Sequence, residues 1–92
     1  MSNLNCGTSV SITEFFRVLE NLPEGDSLLM TMNCGSLQCA IIHNEEGDYS
    51  LIVISVSEGS EECEVIVNEP FASYMRAMTE AIILADVHHM GE

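Results

Sequence analysis

Two neighbouring segments of this chain, residues 37–43 and 49–57, are apolar on both of the faces that a β-strand presents. Side chains alternate across a strand, so Leu37, Cys39 and Ile41 point one way while Ala40 and Ile42 point the other. Leu51 and Val53 likewise oppose Ile52, Ile54 and Val56. Such strands leave neither face to water and demand a covering layer on each side. Two helices supply both layers if they split between the faces. If they share one face, the other meets a partner or a second copy of the chain.

The flanking segments supply two helices. Residues 1–10 read as a flexible lead-in to a single 92-residue domain. Ser11-Ile12-Thr13-Glu14 has the form of a capping box, with Ser11 as the cap and Glu14 reaching back. Ile12, Phe15, Phe16 and Leu19 follow at helical spacing, with at least one phenylalanine expected in the core. Pro23-Glu24-Gly25-Asp26 ends that helix in a turn. Strands are expected over 27–33, 37–43, 49–57 and 62–67, separated by short turns that dictate antiparallel neighbours. A second helix is expected from about Pro70, with Phe71, Tyr74, Met75, Met78, Ile82 and Ala85 as its apolar stripe. Within that stripe Met75, Met78 and Ile82 are expected to sit on the sheet. His88 and His89 suit its last turn, and Gly91 its end. The expected fold is α+β: a helix, a four-stranded antiparallel meander, and a C-terminal helix against the sheet.

Charge narrows the function. The chain has fifteen Asp and Glu against two basic residues, Arg17 and Arg76, for a net charge of −13, and no lysine at all. Surfaces normally intersperse both signs, and one-sided charge destabilises the compact state by self-repulsion. In a meander alternate turns share an end. One pole should therefore gather Glu24, Asp26, Glu45, Glu46, Asp48 and Glu69, and the other Glu58, Glu61, Glu62 and Glu64. A strand of about eight residues separates the poles by roughly 27 Å. Carboxylates so spaced can stand in for successive phosphates along a basic groove. These ten acids are the candidate partner-binding residues, and the implied partner is a basic nucleic-acid-binding protein. Direct binding of DNA is disfavoured by the charge itself, while contact to a guide RNA through an arginine stays open. The plainer reading of each arginine is intrahelical pairing, Arg17 with Glu14 and Arg76 with Glu80.

Chemistry finds little footing. Cys34, Cys39 and His43 mix sulfur and imidazole, but their spacing along an extended strand is not that of a zinc site. No nucleophile–base signature or glycine-rich phosphate loop occurs, and adjacent exposed carboxylates such as Glu45 and Glu46 do not make a catalytic pair. The expectation is a protein without enzymatic activity, cofactor or metal. The first residues, MSNLNCGTS, lack the basic and apolar regions of a signal peptide, and no apolar run reaches membrane-spanning length. A cytoplasmic location with reduced cysteines and no membrane partner is expected.

In its size, its missing lysine, and its acidic turns Asn44-Glu45-Glu46-Gly47-Asp48 and Glu58-Gly59-Ser60-Glu61-Glu62, the chain resembles the small phage-encoded inhibitors of host defence, anti-CRISPR proteins and nucleic-acid mimics among them. The likeness is one of character over the whole chain, without a diagnostic motif. It implies a stoichiometric blocker acting in the host bacterial cytoplasm on the basic surface of a CRISPR effector, with a guide-RNA surveillance complex as the preferred target. Two alternatives use the same features. An antitoxin or immunity protein would neutralise a nuclease by the same electrostatics, and an assembly module would form a homodimer through a spare apolar sheet face.

Overall fold

Both faces of the sheet are covered, and each helix takes one. The computed structural model describes residues 6–57, 59 and 61–90. Its elements are β1 (Ser9–Ser11), α1 (Ile12–Glu20), β2 (Ser27–Cys34), β3 (Leu37–His43), β4 (Tyr49–Val56), β5 (Glu62–Phe71) and α2 (Tyr74–Met90). The fold is α+β, with one antiparallel sheet ordered β1-β5-β4-β3-β2. The helices split between its faces, which settles the choice posed by the two-faced central strands without a partner.

The sheet has five strands rather than four. The extra strand comes from the expected lead-in, residues 1–10: Ser9, Val10 and Ser11 pair with Glu64, Cys63 and Glu62. Gly7 N donates to Val65 O at 2.7 Å and Val65 N to Thr8 O at 2.9 Å, extending the attachment. Residues 1–5 of that lead-in lie outside the described residues. Three residues carry no strand signal of their own, and it is the outer edge of β5 that gives them one. Ser11 then ends β1 and caps α1 at once. Its Oγ accepts from Glu14 N at 3.0 Å, while the Glu14 carboxylate turns to Arg17 Nη1 at 3.7 Å.

α1 runs across one face and delivers the chain from one sheet edge to the other. It buries Phe15 and Leu19 against Ala40, Ile42, Ile52, Ile54, Cys63 and Val65. Phe16 stays partly exposed, so a single phenylalanine anchors the helix. Burial also pushes the Cys63 thiol above its ordinary pKa, which keeps it protonated and unreactive where an exposed thiol would begin to ionise.

The opposite face is closed by α2, which packs differently from the expected pattern. It starts at Tyr74, not near Pro70, because Ser73 makes the better cap: Ser73 Oγ accepts from Arg76 N at 3.2 Å. Pro70 belongs instead to β5, which runs four residues past its expected end and sets Pro70 opposite Ser50. Proline is tolerated there because, among the described residues, β1 flanks β5 only near its start. The buried stripe of α2 is Ala77, Ala81 and Ala85, at intervals of four. Small side chains let the helix backbone approach Leu37, Cys39, Ile41, Leu51 and Val53 closely. Met78 packs on this core as expected, but Met75 and Ile82 do not: both point outward. The expected stripe therefore holds at Tyr74, Met78 and Ala85 and fails at Met75 and Ile82, and it lacks Ala77 and Ala81 because alanine weighs too little in a hydropathy pattern to mark a face.

β2 forms the far edge of the sheet. It is broken by a bulge at Leu29, between the pairs Leu28–Ile42 and Met30–Ile41. Its sequence, SLLMTMNC, contains no charged residue and no proline.

Candidate interaction surface

The acidic turns are held by specific backbone contacts, not merely placed near each other by topology. Ser27 pairs with His43, so the loop before β2 meets the turn between β3 and β4. Asp26 Oδ1 accepts from Glu45 N at 2.9 Å, tying the two loops together. Asp26 N donates to Pro23 O at 3.1 Å, Gly47 N to Asn44 O at 2.9 Å, and Asn44 N to Asp48 O at 2.8 Å. Gly25 is required twice over. Its φ is +98°, and a Cβ there would lie 2.9 Å from the Glu45 side chain. Glu24, Asp26, Glu45, Glu46 and Asp48 thus share one pole, all exposed except the half-buried Asp26. Among the described residues no basic side chain lies within ion-pair distance of these five. His43 stands at the same pole, stacked on Tyr49 with ring centroids 4.7 Å apart.

Glu69 is displaced from the place expected of it. It does not leave the sheet at the end of the fourth strand but lies within β5, opposite Leu51. That pairing puts it on the α2 side of the sheet. Glu64, opposite Ser55, lies on the same side, and so does Glu62 by alternation with the buried Cys63. Glu62, Glu64 and Glu69, all exposed, therefore form a row along one face of β5. Glu61 lies in the turn before that strand, where its carbonyl accepts from Ile12 N at 2.8 Å and clamps the start of α1. Glu58 lies outside the described residues. The acids are thus two ends joined by a row, with β4, about 27 Å long, setting the distance between ends.

A cleft of about 540 Å³ opens on the α1 face beside the first pole. It exists because α1, nine residues and roughly 13 Å long, covers only part of strands about twice its length. Val18, Leu22, Ile42 and Ile52 line its apolar side, and Arg17, Asn21, Asp26, Asn44, Ser50 and Asn68 its polar side. Asn44 Nδ2 donates to Ser50 Oγ at 2.8 Å, and Asn21 Nδ2 to Arg17 O at 2.9 Å. Sequence reasoning missed this cleft. The available signal was the interruption of an apolar face by Ser50 and Asn68, which sit beyond the reach of the short helix. No histidine or cysteine lines it.

Cys39 and His43 lie on one strand face but four residues, roughly 13 Å, apart, too far to ligate one ion together. Cys39 is fully buried under α2. The Arg17–Glu14 pair forms as expected, whereas Arg76 makes no ion pair with Glu80. Comparison with protein-family models, with curated proteins and with solved structures finds no match to this chain. No helix among the described residues is long and apolar enough to cross a membrane.

Proposed function

We propose that the protein is a non-enzymatic inhibitor that occupies the basic nucleic-acid-binding surface of a host defence effector. The preferred target is a guide-RNA surveillance complex whose binding of target DNA it blocks, which makes the chain an anti-CRISPR protein of the nucleic-acid-mimic kind. The observation that carries this reading is the placement of the acids. Two carboxylate-bearing ends stand about 27 Å apart, joined by Glu62, Glu64 and Glu69 along one strand face. Ordinary solubility requires charge but not a row of one sign along a strand face. A basic groove that tracks a phosphate backbone offers complementary charge over that length.

The expected complex is stoichiometric and salt-sensitive, because it exchanges ion pairs with screened solvent. Immobilised protein incubated with bacterial lysate should retain a basic nucleic-acid-binding complex at low ionic strength. Moderate salt should release it, and duplex DNA bearing the target sequence should compete for it. Mass spectrometry of the eluate names the target. Recovery of only the protein itself at both ionic strengths would overturn the proposal and leave the charge as a solubility device.

A further inference from the structure

The cleft beside the first acidic pole has two kinds of wall and takes no part in the proposed inhibition. Its volume of about 540 Å³ falls within the roughly 300–1,000 Å³ of sites that hold small molecules. Strand register sets its floor. Ile42 pairs with Ser50, and Ile52 with Asn68. Directly opposed residues share a face, so each aliphatic side chain of the floor has a polar neighbour. Val18 and Leu22 close the apolar side, while Asn21 and Asn44 add neutral polar atoms. Apolar surface with a few converging polar groups is the usual make-up of a ligand site.

Charge decides what such a cleft takes. Among the described residues, Glu14, Arg17 and Asp26 are the charged groups that line it. Glu14 and Arg17 face each other at 3.7 Å and offset one another. Asp26 remains as the net charge. Its Oδ1 accepts from Glu45 N at 2.9 Å, which holds the carboxylate in place, and its Oδ2 has no hydrogen-bond partner among the described residues. The C-terminal end of α1 borders the same space through Val18 and Asn21. The carbonyls of a helix's last turn carry partial negative charge, and the exposed Glu24, Glu45, Glu46 and Asp48 nearby add to the field. We propose that this cleft binds a small organic cation. An amidinium, guanidinium or ammonium head would meet Asp26, and an apolar body would cover Ile42 and Ile52. An anionic ligand such as a nucleotide is repelled by the same field. An arginine side chain of a partner protein offers the same head, but its narrow stem leaves much of the wall at Val18 and Leu22 uncovered.

The site does not depend on the proposed inhibition, and its test needs no effector. Heteronuclear NMR titration of the full chain with naphthamidine supplies it, with naphthamide and naphthoate as neutral and anionic analogues of the same shape. The amidine should shift the amides of Asn21, Leu22, Asn44, Ser50 and Asn68 together and saturably. It should bind about tenfold more tightly than the amide, and the naphthoate should not bind. Asp26→Asn keeps an oxygen for Glu45 N and should abolish the preference for the amidine. Glu80→Gln removes the same charge from the body of α2 and should leave that preference in place. Leu22→Ala trims the apolar wall and should weaken amidine and amide alike. Equal affinity for amidine and amide would overturn the proposal, as would shifts that never saturate or that spread over every acidic turn. Tighter binding of N-acetylarginine amide than of naphthamidine would also overturn it, by giving the cleft to a side chain of a partner protein.

Discussion

Phe15→Ala removes about 3–5 kcal/mol of folding stability, whereas Phe16→Ala, one residue along the same helix, removes about 1 kcal/mol. The two side chains touch, with ring centroids 5.4 Å apart in an edge-to-face arrangement, so the contrast isolates burial from local chemistry. Phe15 is 1% exposed and Phe16 is 40% exposed. A nine-residue helix has little stability alone, so α1 holds its place through what it buries. Phe15 and Leu19 are its buried side chains, seated over Ala40, Ile42, Ile52, Ile54, Cys63 and Val65. Truncating Phe15 leaves a void that the rigid sheet beneath cannot close. A domain of this size has about 5–14 kcal/mol in total, so the loss is a large share of the whole. Denaturant unfolding measures both variants directly, and hydrogen exchange should show the α1-facing amides opening first in Phe15→Ala. Equal costs at the two positions would mean that the helix presents a different face to the sheet.

Reversing Glu45, Glu46 and Asp48 together to lysine should weaken binding to a basic effector on the order of 10²–10⁴-fold, while the fold survives. The loss reflects several like charges brought against a positive surface, at about 1–2 kcal/mol each. Survival of the fold is expected because all three side chains are exposed, and the groups that tie this turn are backbone atoms. Glu45 contributes its N–H to Asp26, and Asn44 exchanges backbone bonds with Asp48 and Gly47. The lysine stem also keeps the methylenes that Glu45 lays beneath Gly25. Glu80→Lys, in the body of α2 and in neither acidic turn, is the control per unit charge. Binding lost in proportion to net charge alone, whichever acids are reversed, would sink the idea that their placement matters. Calorimetry or surface-based kinetics at fixed salt distinguishes the outcomes.

The meander was legible in the sequence because each of its strands announces itself twice, by alternation within the segment and by a turn at its end. The runs 37–43 and 49–57 also demanded two covering layers, and both helices were visible by their caps or periodicity. Features decided by distant neighbours were not legible. Ser9–Ser11 becomes a strand only because β5 offers a free edge beside it. Pro70 reads as a helix start, and it is acceptable in the sheet where, among the described residues, that part of β5 has no outer neighbour. The buried face of α2 was read in part: Tyr74, Met78 and Ala85 lie on it, Met75 and Ile82 do not, and Ala77 and Ala81 were missed because they are chosen for smallness. Of the candidate surface, the pole at Asp26 and Glu45 follows from strand pairing alone. The displacement of Glu69 follows from the added length of β5, which no local signal marks. The cleft depends on the shortness of α1 relative to the strands, a comparison between elements that no single segment contains.

The unguarded edge of β2 ties the charge of this protein to its colloidal fate. Sheet proteins usually protect an open edge locally, with a lysine or a proline at the strand itself. β2 has neither, and its bulge at Leu29 is the one local device present. Protection instead comes from a distance: molecules that all carry −13 do not approach closely enough to join edges. A defence of that kind fails all at once. As pH falls toward the isoelectric point of about 4.2, the net charge and with it the mutual repulsion fade, leaving eight uncharged residues ready to template a cross-β fibre. Thioflavin fluorescence should rise across that narrow acid window, and Thr31→Lys, which plants a charge on the exposed edge itself, should suppress it without altering behaviour at neutral pH.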